Sequence, residues 1–124
     1  MRVVVPAESK AGEKRVALLP DIISKLTKAG FSVSIESGAG IHAGASDESY
    51  KEQGAAIFSA SDQRKELAGA DVILSVQPLS PDQASNLKNG AITISFLSNV
   101  SAKESIDALA KSGATAFSLE ALPR

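Results

Sequence analysis

Short runs of apolar residues alternate with amphipathic or polar segments along the whole chain, and this alternation limits the folds that the sequence can form. The apolar runs predict strands at residues 3–5, 31–35, 55–58, 71–76, 91–97 and 114–119. The segments between them predict helices at residues 20–29, 46–53, 61–67, 80–88 and 101–111. A repeated strand–helix order is typical of a parallel sheet. Because the apolar runs are continuous, we expect helices on both faces of that sheet.

The predicted fold class is α/β, with a doubly wound, mainly parallel sheet of the Rossmann-like or flavodoxin-like kind. Pro20 and Gly30 mark the two ends of the first helix, and Ser46 is a candidate cap for the second. In such sheets ligands bind beyond the carboxyl ends of the strands. The loops that reach this edge are 6–15, 38–45, 77–81, 98–101 and 120–124.

Composition narrows the possible functions. The 124 residues suffice for one domain, and a net charge of −1 does not favour nucleic acid or an anionic membrane as a partner. The chain contains no cysteine and one histidine, which excludes disulfides and argues against a zinc site. No apolar run is long enough to cross a bilayer. Since the sequence stops at Leu-Pro-Arg, directly after the last predicted strand, we expect a truncated chain.

A glycine-containing loop follows the second predicted strand. Its glycines have the spacing G-x-G-x-x-x-G, at Gly38, Gly40 and Gly44. A dinucleotide fingerprint needs G-x-G-x-x-G, and Asp47 and Glu48 at the start of the next helix would repel a pyrophosphate. We therefore interpret the loop as a tight turn, and His42 within it as a solvated loop residue.

Arg15 is the most suggestive charged residue. It lies between a charged loop and the apolar residues 16–19, so its stem should cover the core while its guanidinium faces the strand ends. A planar guanidinium suits a carboxylate, which makes Arg15 a candidate anion-binding residue. The alternative is an ordinary surface charge. Ser75 and Gln77, at the end of the fourth strand, are compatible with turn chemistry, and the sequence offers no convincing general base.

The order of motifs resembles the superfamily of alanine dehydrogenases and transhydrogenase α subunits. The opening VPAESKAGEKRVALLP, residues 5–20, is the most specific part of the resemblance. Supporting matches follow at residues 28–31, 36–40, 54–57, 70–74 and 95–97. The similarity extends over essentially the whole chain.

The resemblance separates two branches of the superfamily. In alanine dehydrogenases an arginine at the position of Arg15 binds the substrate carboxylate, and a lysine and a histidine complete the catalytic site. Here the lysine position holds Ser75 and the histidine position falls near Ser98, so the resemblance argues against alanine dehydrogenase chemistry. Leu122-Pro123-Arg124 is instead similar to a loop of the NAD(H)-binding component of proton-translocating NAD(P) transhydrogenase. The arginine matching Arg124 there lies beside the nicotinamide, which makes Arg124 a candidate cofactor-binding residue.

The resemblance implies that residues 1–124 are an N-terminal subdomain ahead of the NAD-binding Rossmann domain, forming one wall of the NAD(H) cleft. The family passes hydride between NAD(H) and NADP(H) on a partner component, and a membrane component couples this to proton movement. The resemblance also implies a homodimer through the full-length α subunit, on the cytoplasmic side of the inner membrane. NAD(H) would be bound mainly by the downstream domain. Because the nicotinamides carry the chemistry, no catalytic residue or metal is expected here, and the isolated fragment should be inactive.

Two alternatives stay open. One is an alanine dehydrogenase-like, NAD-dependent oxidoreductase of amino or keto acids that kept Arg15 and rebuilt the rest of its site. The other is a non-enzymatic α/β module that holds a small carboxylate at Arg15.

Overall fold

A computed structural model of the chain describes residues 1–8, 12–77, 79–95 and 110–118. The strands are β1 (Arg2–Val5), β2 (Ser32–Glu36), β3 (Ala56–Phe58), β4 (Val72–Leu74), β5 (Ile92–Ser95) and β6 (Thr115–Ser118). The α-helices are α1 (Pro20–Lys28), α2 (Asp47–Glu52), α3 (Gln63–Ala68) and α4 (Pro81–Ser85), and short 3₁₀ turns lie at Ile41–Ala43 and Ala60–Asp62.

The six strands form one sheet in the order β3-β2-β1-β4-β5-β6, and every neighbouring pair is parallel. Val3 of the central strand has register partners on both sides, Val33 in β2 and Val72 in β4. The chain first builds outward from β1 to β3 and then returns to build outward from β4. The strand order therefore reverses between β1 and β4, which is where an open α/β sheet forms its ligand crevice.

Successive residues of β1 enter cores on opposite faces of the sheet. Val4 packs in a cluster with Leu67 of α3 and Ala84 of α4. Val3 and Val5 pack on the other face, in a cluster that also contains Ile23 of α1 and Tyr50 of α2. The doubly wound architecture with helices on both faces is thus confirmed.

Most predicted elements begin and end within two residues of the observed ones, although β4 lacks the last two residues predicted for it and α4 lacks the last three. The amides of Val76 and Gln77 donate to the Glu8 carboxylate, so the chain leaves the sheet before residue 76. The helix α4 ends at Ser85, and the Asn86 side chain donates to the carbonyl of Asp82. Residues 96–97, 101–109 and 119 of the other predicted elements lie outside the described residues.

Two helices begin at side-chain caps, and the sequence indicated the first of them. Ser46 Oγ accepts a hydrogen bond from the amide of Ser49 at 3.2 Å, which caps α2 as predicted. Ser80 and Gln83 form a reciprocal capping box at the start of α4. These caps satisfy amides that the first turn of a helix leaves without partners.

We expect the substitution Tyr50→Phe to lower the free energy of unfolding by about 1–2 kcal/mol, because it leaves a carbonyl without its donor. Tyr50 is fully buried, and its hydroxyl donates to the carbonyl of Leu18 at 2.6 Å. Urea denaturation with an unchanged m-value would measure the loss.

Ser85→Ala is the matched control, since that hydroxyl bonds the Asp82 carbonyl on an exposed helix surface. Its effect should stay within about 0.5 kcal/mol. Equal effects of the two substitutions would contradict the role given to the Tyr50 hydroxyl.

Candidate functional site

A cleft of about 310 Å³ opens at the carboxyl ends of β4 and β5, beside the segment that leads from β1 into α1. Its lining residues are Arg15, Val16, Ala17, Leu74, Ser75, Val76 and Ile94. The cleft lies next to the point where the strand order reverses, as expected for this type of sheet. Its size is at the lower end of the range for small-molecule sites, and its lining is mostly apolar.

The carboxylate of Glu8 joins the loop after β1 to the loop after β4. Its Oε2 accepts from the amide of Val76 and its Oε1 from the amide of Gln77, both at 2.9 Å. Burial raises the pKa of Glu8, and the two amide hydrogen bonds oppose this rise without cancelling it. Glu8 therefore binds the two backbone amides that follow β4, where the chain has already left the sheet.

The carboxylate of Glu13 makes a second connection between the same loops. It accepts from Arg15 Nε and Nη2, each at 2.9 Å, and from the Arg15 amide at 3.0 Å. It also accepts from Gln77 Nε2 at 2.6 Å. The hydrogen bonds from the Arg15 side chain, followed by the one from Gln77, lower the pKa of Glu13 to about 2.

Arg15 lies beside the cleft, where the sequence predicted it, but its surroundings differ from the prediction. Its side chain is 62% exposed, so its stem covers less of the core than expected. Its Nε and Nη2 groups bind Glu13 in the bidentate geometry that carboxylates favour. An intramolecular carboxylate thus occupies one edge of the proposed anion-binding group. The other candidate, Arg124, lies outside the described residues.

The glycine loop after β2 is explained by local packing and backbone geometry. Gly38 has φ +81°, and its amide donates to Asp47 Oδ1 at 2.9 Å, so an amide that could face a phosphate already binds a carboxylate. A Cβ on Gly40 would lie 2.8 Å from the buried Tyr50 ring. His42 is exposed in the adjoining turn. These features agree with the interpretation of a tight turn.

The sequence did not identify Glu8, Glu13 and Gln77 as one unit, although all three lie in loops that were expected to reach the ligand edge. Ser75 is 6% exposed and lines the cleft, so its position at the end of β4 matters more than turn chemistry suggested. Ser98 and Asn99 lie outside the described part of the chain.

The described residues after β1 do not form a pyrophosphate-binding turn. A dinucleotide fold places glycines in the turn after its first strand, whereas the described residues of this turn include the carboxylates of Glu8 and Glu13. The described residues of this turn balance the two carboxylates with Lys14 and Arg15, but they include a single glycine, Gly12, and so lack the glycine spacing that binds the pyrophosphate of NAD(H). Within the described ranges, no three acidic or histidine side chains are grouped to hold a metal ion. No described helix is long and apolar enough to cross a membrane.

Comparison with known proteins gives relatives in two groups. Two proteins named as the first part of NAD(P) transhydrogenase subunit alpha are 34% identical over 129 residues, in Rhodospirillum rubrum, and 38% identical over 128 residues, in Rickettsia prowazekii. Both alignments cover 100% of this chain and 33% of the relative. Alanine dehydrogenase of Mycobacterium tuberculosis is 35% identical over 120 residues, covering 97% of this chain and 32% of that protein.

Solved structures give the same two groups. The transhydrogenase from Sinorhizobium meliloti superposes with a TM-score of 0.89 and 35% identity, covering 100% of this chain and 36% of that one. An L-alanine dehydrogenase superposes with a TM-score of 0.84 and 29% identity, covering 95% of this chain and 32% of that one. The chain thus spans about a third of the length of the relatives that it matches.

The family model described as alanine dehydrogenase/PNT, N-terminal domain, matches residues 4–124. This match confirms the resemblance that the opening motif indicated. The chain belongs to the alanine dehydrogenase/transhydrogenase family and carries its N-terminal domain.

Proposed function

We propose that this chain is the N-terminal portion of an NAD(P) transhydrogenase α subunit. The whole protein would transfer hydride between NAD(H) and NADP(H), coupled to proton translocation, and this domain would form one wall of the NAD(H) cleft. The relatives named transhydrogenase subunits, aligned over the whole chain, support this assignment.

The nature of the cleft lining favours the transhydrogenase branch. Ser75 is buried in the cleft at the position where the resemblance to alanine dehydrogenases expects a lysine. The carboxylates of Glu8 and Glu13 are both engaged by hydrogen bonds that join the loops. The described lining therefore offers no group suited to the proton transfers of amine chemistry. Hydride transfer between two nicotinamides needs none, because the cofactors supply that chemistry when bound.

The composition of the turn after β1 supports binding of NAD(H) mainly by a downstream domain. The turn after β1 has a single glycine, Gly12, and lacks the spaced glycines of a dinucleotide fingerprint, so the pyrophosphate would lie on another part of the protein. In this proposal Arg124 lies beside the nicotinamide. The partners are the NADP(H)-binding and membrane components, the full-length subunit is a homodimer, and the assembly lies on the cytoplasmic side of the inner membrane.

One observation favours a second candidate. Arg15 lines the cleft, and it matches the arginine that the resemblance associates with a substrate carboxylate in alanine dehydrogenases. An NAD-dependent oxidoreductase of amino or keto acids, or a non-enzymatic module that binds a carboxylate, would both use Arg15 in this way. Ser75 argues more strongly against the enzyme than against the binding module.

Calorimetry with NADH tests the main proposal. The 124-residue chain is compared with the same chain extended by about 250 residues of its native downstream sequence, which is room for a second domain. We expect the extended protein to bind NADH tightly, to oxidise no alanine, and to transfer hydride once its NADP(H)-binding partner is added. The short chain should not bind NADH, since its β1 turn does not fit the pyrophosphate. Clear binding by the short chain, or oxidation of alanine by the long one, would overturn the assignment.

Arg15→Lys tests whether the cleft uses the guanidinium. A lysine keeps the charge but lacks the planar fork, so we expect the extended protein to lose about tenfold in affinity for NADH, or for pyruvate if a carboxylate is the ligand. Arg64→Lys is the matched control, because Arg64 makes an exposed pair with Asp82 away from the cleft. If Arg15→Lys leaves the affinity for both probes unchanged, Arg15 does not contribute to a binding pocket.

A further inference from the structure

The side chain and amide of Gln77 are held by two different carboxylates from the loop after β1. Its amide donates to Glu8, and its Nε2 donates to Glu13 at 2.6 Å. Glu13 in turn accepts three hydrogen bonds from Arg15. The chain of contacts therefore runs from the end of β4, through Gln77 and Glu13, to the guanidinium beside the cleft.

We propose that Glu13 and Gln77 are positioning residues of this cleft: Glu13 binds the Arg15 guanidinium, and Gln77, in the loop after β4, holds Glu13 in place. We call these three residues the Arg15 clamp. The inference rests on the proposed function, because that function gives the cleft a ligand for Arg15 to meet. It goes beyond that function by assigning roles to two residues that act on the ligand only through Arg15.

The burial of the Glu13 side chain explains why the clamp can hold an exposed arginine. The Glu13 side chain is 6% exposed, whereas the Arg15 side chain is 62% exposed. A covered carboxylate is costly unless its oxygens are hydrogen-bonded, and four donors satisfy this one. If the Arg15 guanidinium moved away, Glu13 would lose two of those four bonds, while the bonds from the Arg15 amide and from Gln77 would remain. Glu13 therefore restrains Arg15 more strongly than an exposed partner could.

A second arginine in the same protein shows the contrast. Arg64 and Asp82 have side chains that are 72% and 77% exposed, and one bond of 3.4 Å joins them. Such surface pairs contribute little and do not fix a side chain. The Arg15 pair differs because its carboxylate is covered, bidentate and held from the opposite side by Gln77.

Gln77→Met tests the clamp, since methionine has a similar length but no donor. The full-length protein that carries this chain is labelled with ¹⁵N at arginine, and hydrogen exchange of the Arg15 Nε–H is followed by NMR. We expect Gln77→Met to accelerate this exchange, to raise the pKa of Glu13 above its value of about 2, and to weaken NADH binding by up to about tenfold. Gln53→Met, at the exposed end of α2, is the matched control and should change none of these.

A double-mutant cycle separates positioning from a general structural role. If Gln77 acts through Arg15, Gln77→Met should cost less than about twofold in NADH affinity when Arg15→Lys is already present. Equal losses in the two backgrounds would overturn the proposal. Glu13→Gln keeps the shape of the side chain but removes its charge, and it should loosen Arg15 in the same way should Gln77→Met prove poorly folded.

Two further results would count against the clamp. Unchanged Arg15 Nε–H exchange in both Gln77→Met and Glu13→Gln would show that neither residue holds the guanidinium. Faster exchange with unchanged NADH affinity would show that the position of Arg15 does not serve the cleft. If the unsubstituted protein neither binds NADH nor transfers hydride, the proposed function fails, and the exchange measurements alone then decide whether the clamp exists.

Discussion

Burial of β1 on both of its faces is the constraint on which the rest of the structure depends. Val3, Val4 and Val5 are 3%, 0% and 0% exposed, so this strand can lie only in the middle of the sheet, between two neighbours and under helices on both sides. A central first strand fixes where the following loop emerges. The described residues of that loop, 6–8 and 12–19, begin beside the crevice between β1 and β4, and Glu8, Glu13 and Arg15 are thereby brought to the ligand edge.

The fold resembles a dinucleotide-binding sheet in strand order but uses the same crevice differently. In a nucleotide-binding domain the first turn approaches phosphate closely with glycines and free amides. Here Glu8 and Glu13 accept hydrogen bonds from Val76 and Gln77 in the loop after β4. In a nucleotide-binding domain the turn after the first strand binds the ligand. In this chain the same turn binds the loop after β4. The shared architecture therefore carries no nucleotide function by itself, and what binds in the crevice depends on the side chains that line it.

The secondary structure could be predicted because its signals are local. Apolar runs, Pro20, Ser46 and Gly30 mark elements without reference to distant residues, and the positions of β1 and α1 follow from them. The place of Arg15 beside the strand ends was also predictable, because a parallel sheet gathers its loops at one edge.

The partners of Arg15 could not be predicted in the same way. Glu8 meets the amides of Val76 and Gln77 across 68 and 69 positions of sequence, and a backbone amide leaves no trace in the residue letters. For the same reason the early end of β4 was missed, since the residues 75–76 are as suitable for a strand as those before them. The sequence showed which charges lie near the cleft, but not which of them pair with each other.

Glu8 and Glu13, the two carboxylates described in the loop after β1, have pKa values that shift in opposite directions. This difference decides which of them stabilises the loop at neutral pH. The pKa of Glu13 is lowered to about 2, so its contribution to stability is complete above its ordinary value and is lost as the pH falls toward 2. Burial raises the pKa of Glu8, so the folded protein favours the protonated carboxyl. The folded state therefore loses stability as the pH rises through the raised pKa and Glu8 becomes charged. At neutral pH the charged Glu8 carboxylate therefore joins the two loops at a desolvation cost. The charged Glu13 carboxylate makes its whole stabilising contribution at that pH. The residue that fixes Arg15 is thus also the one whose charge favours the folded loop under physiological conditions.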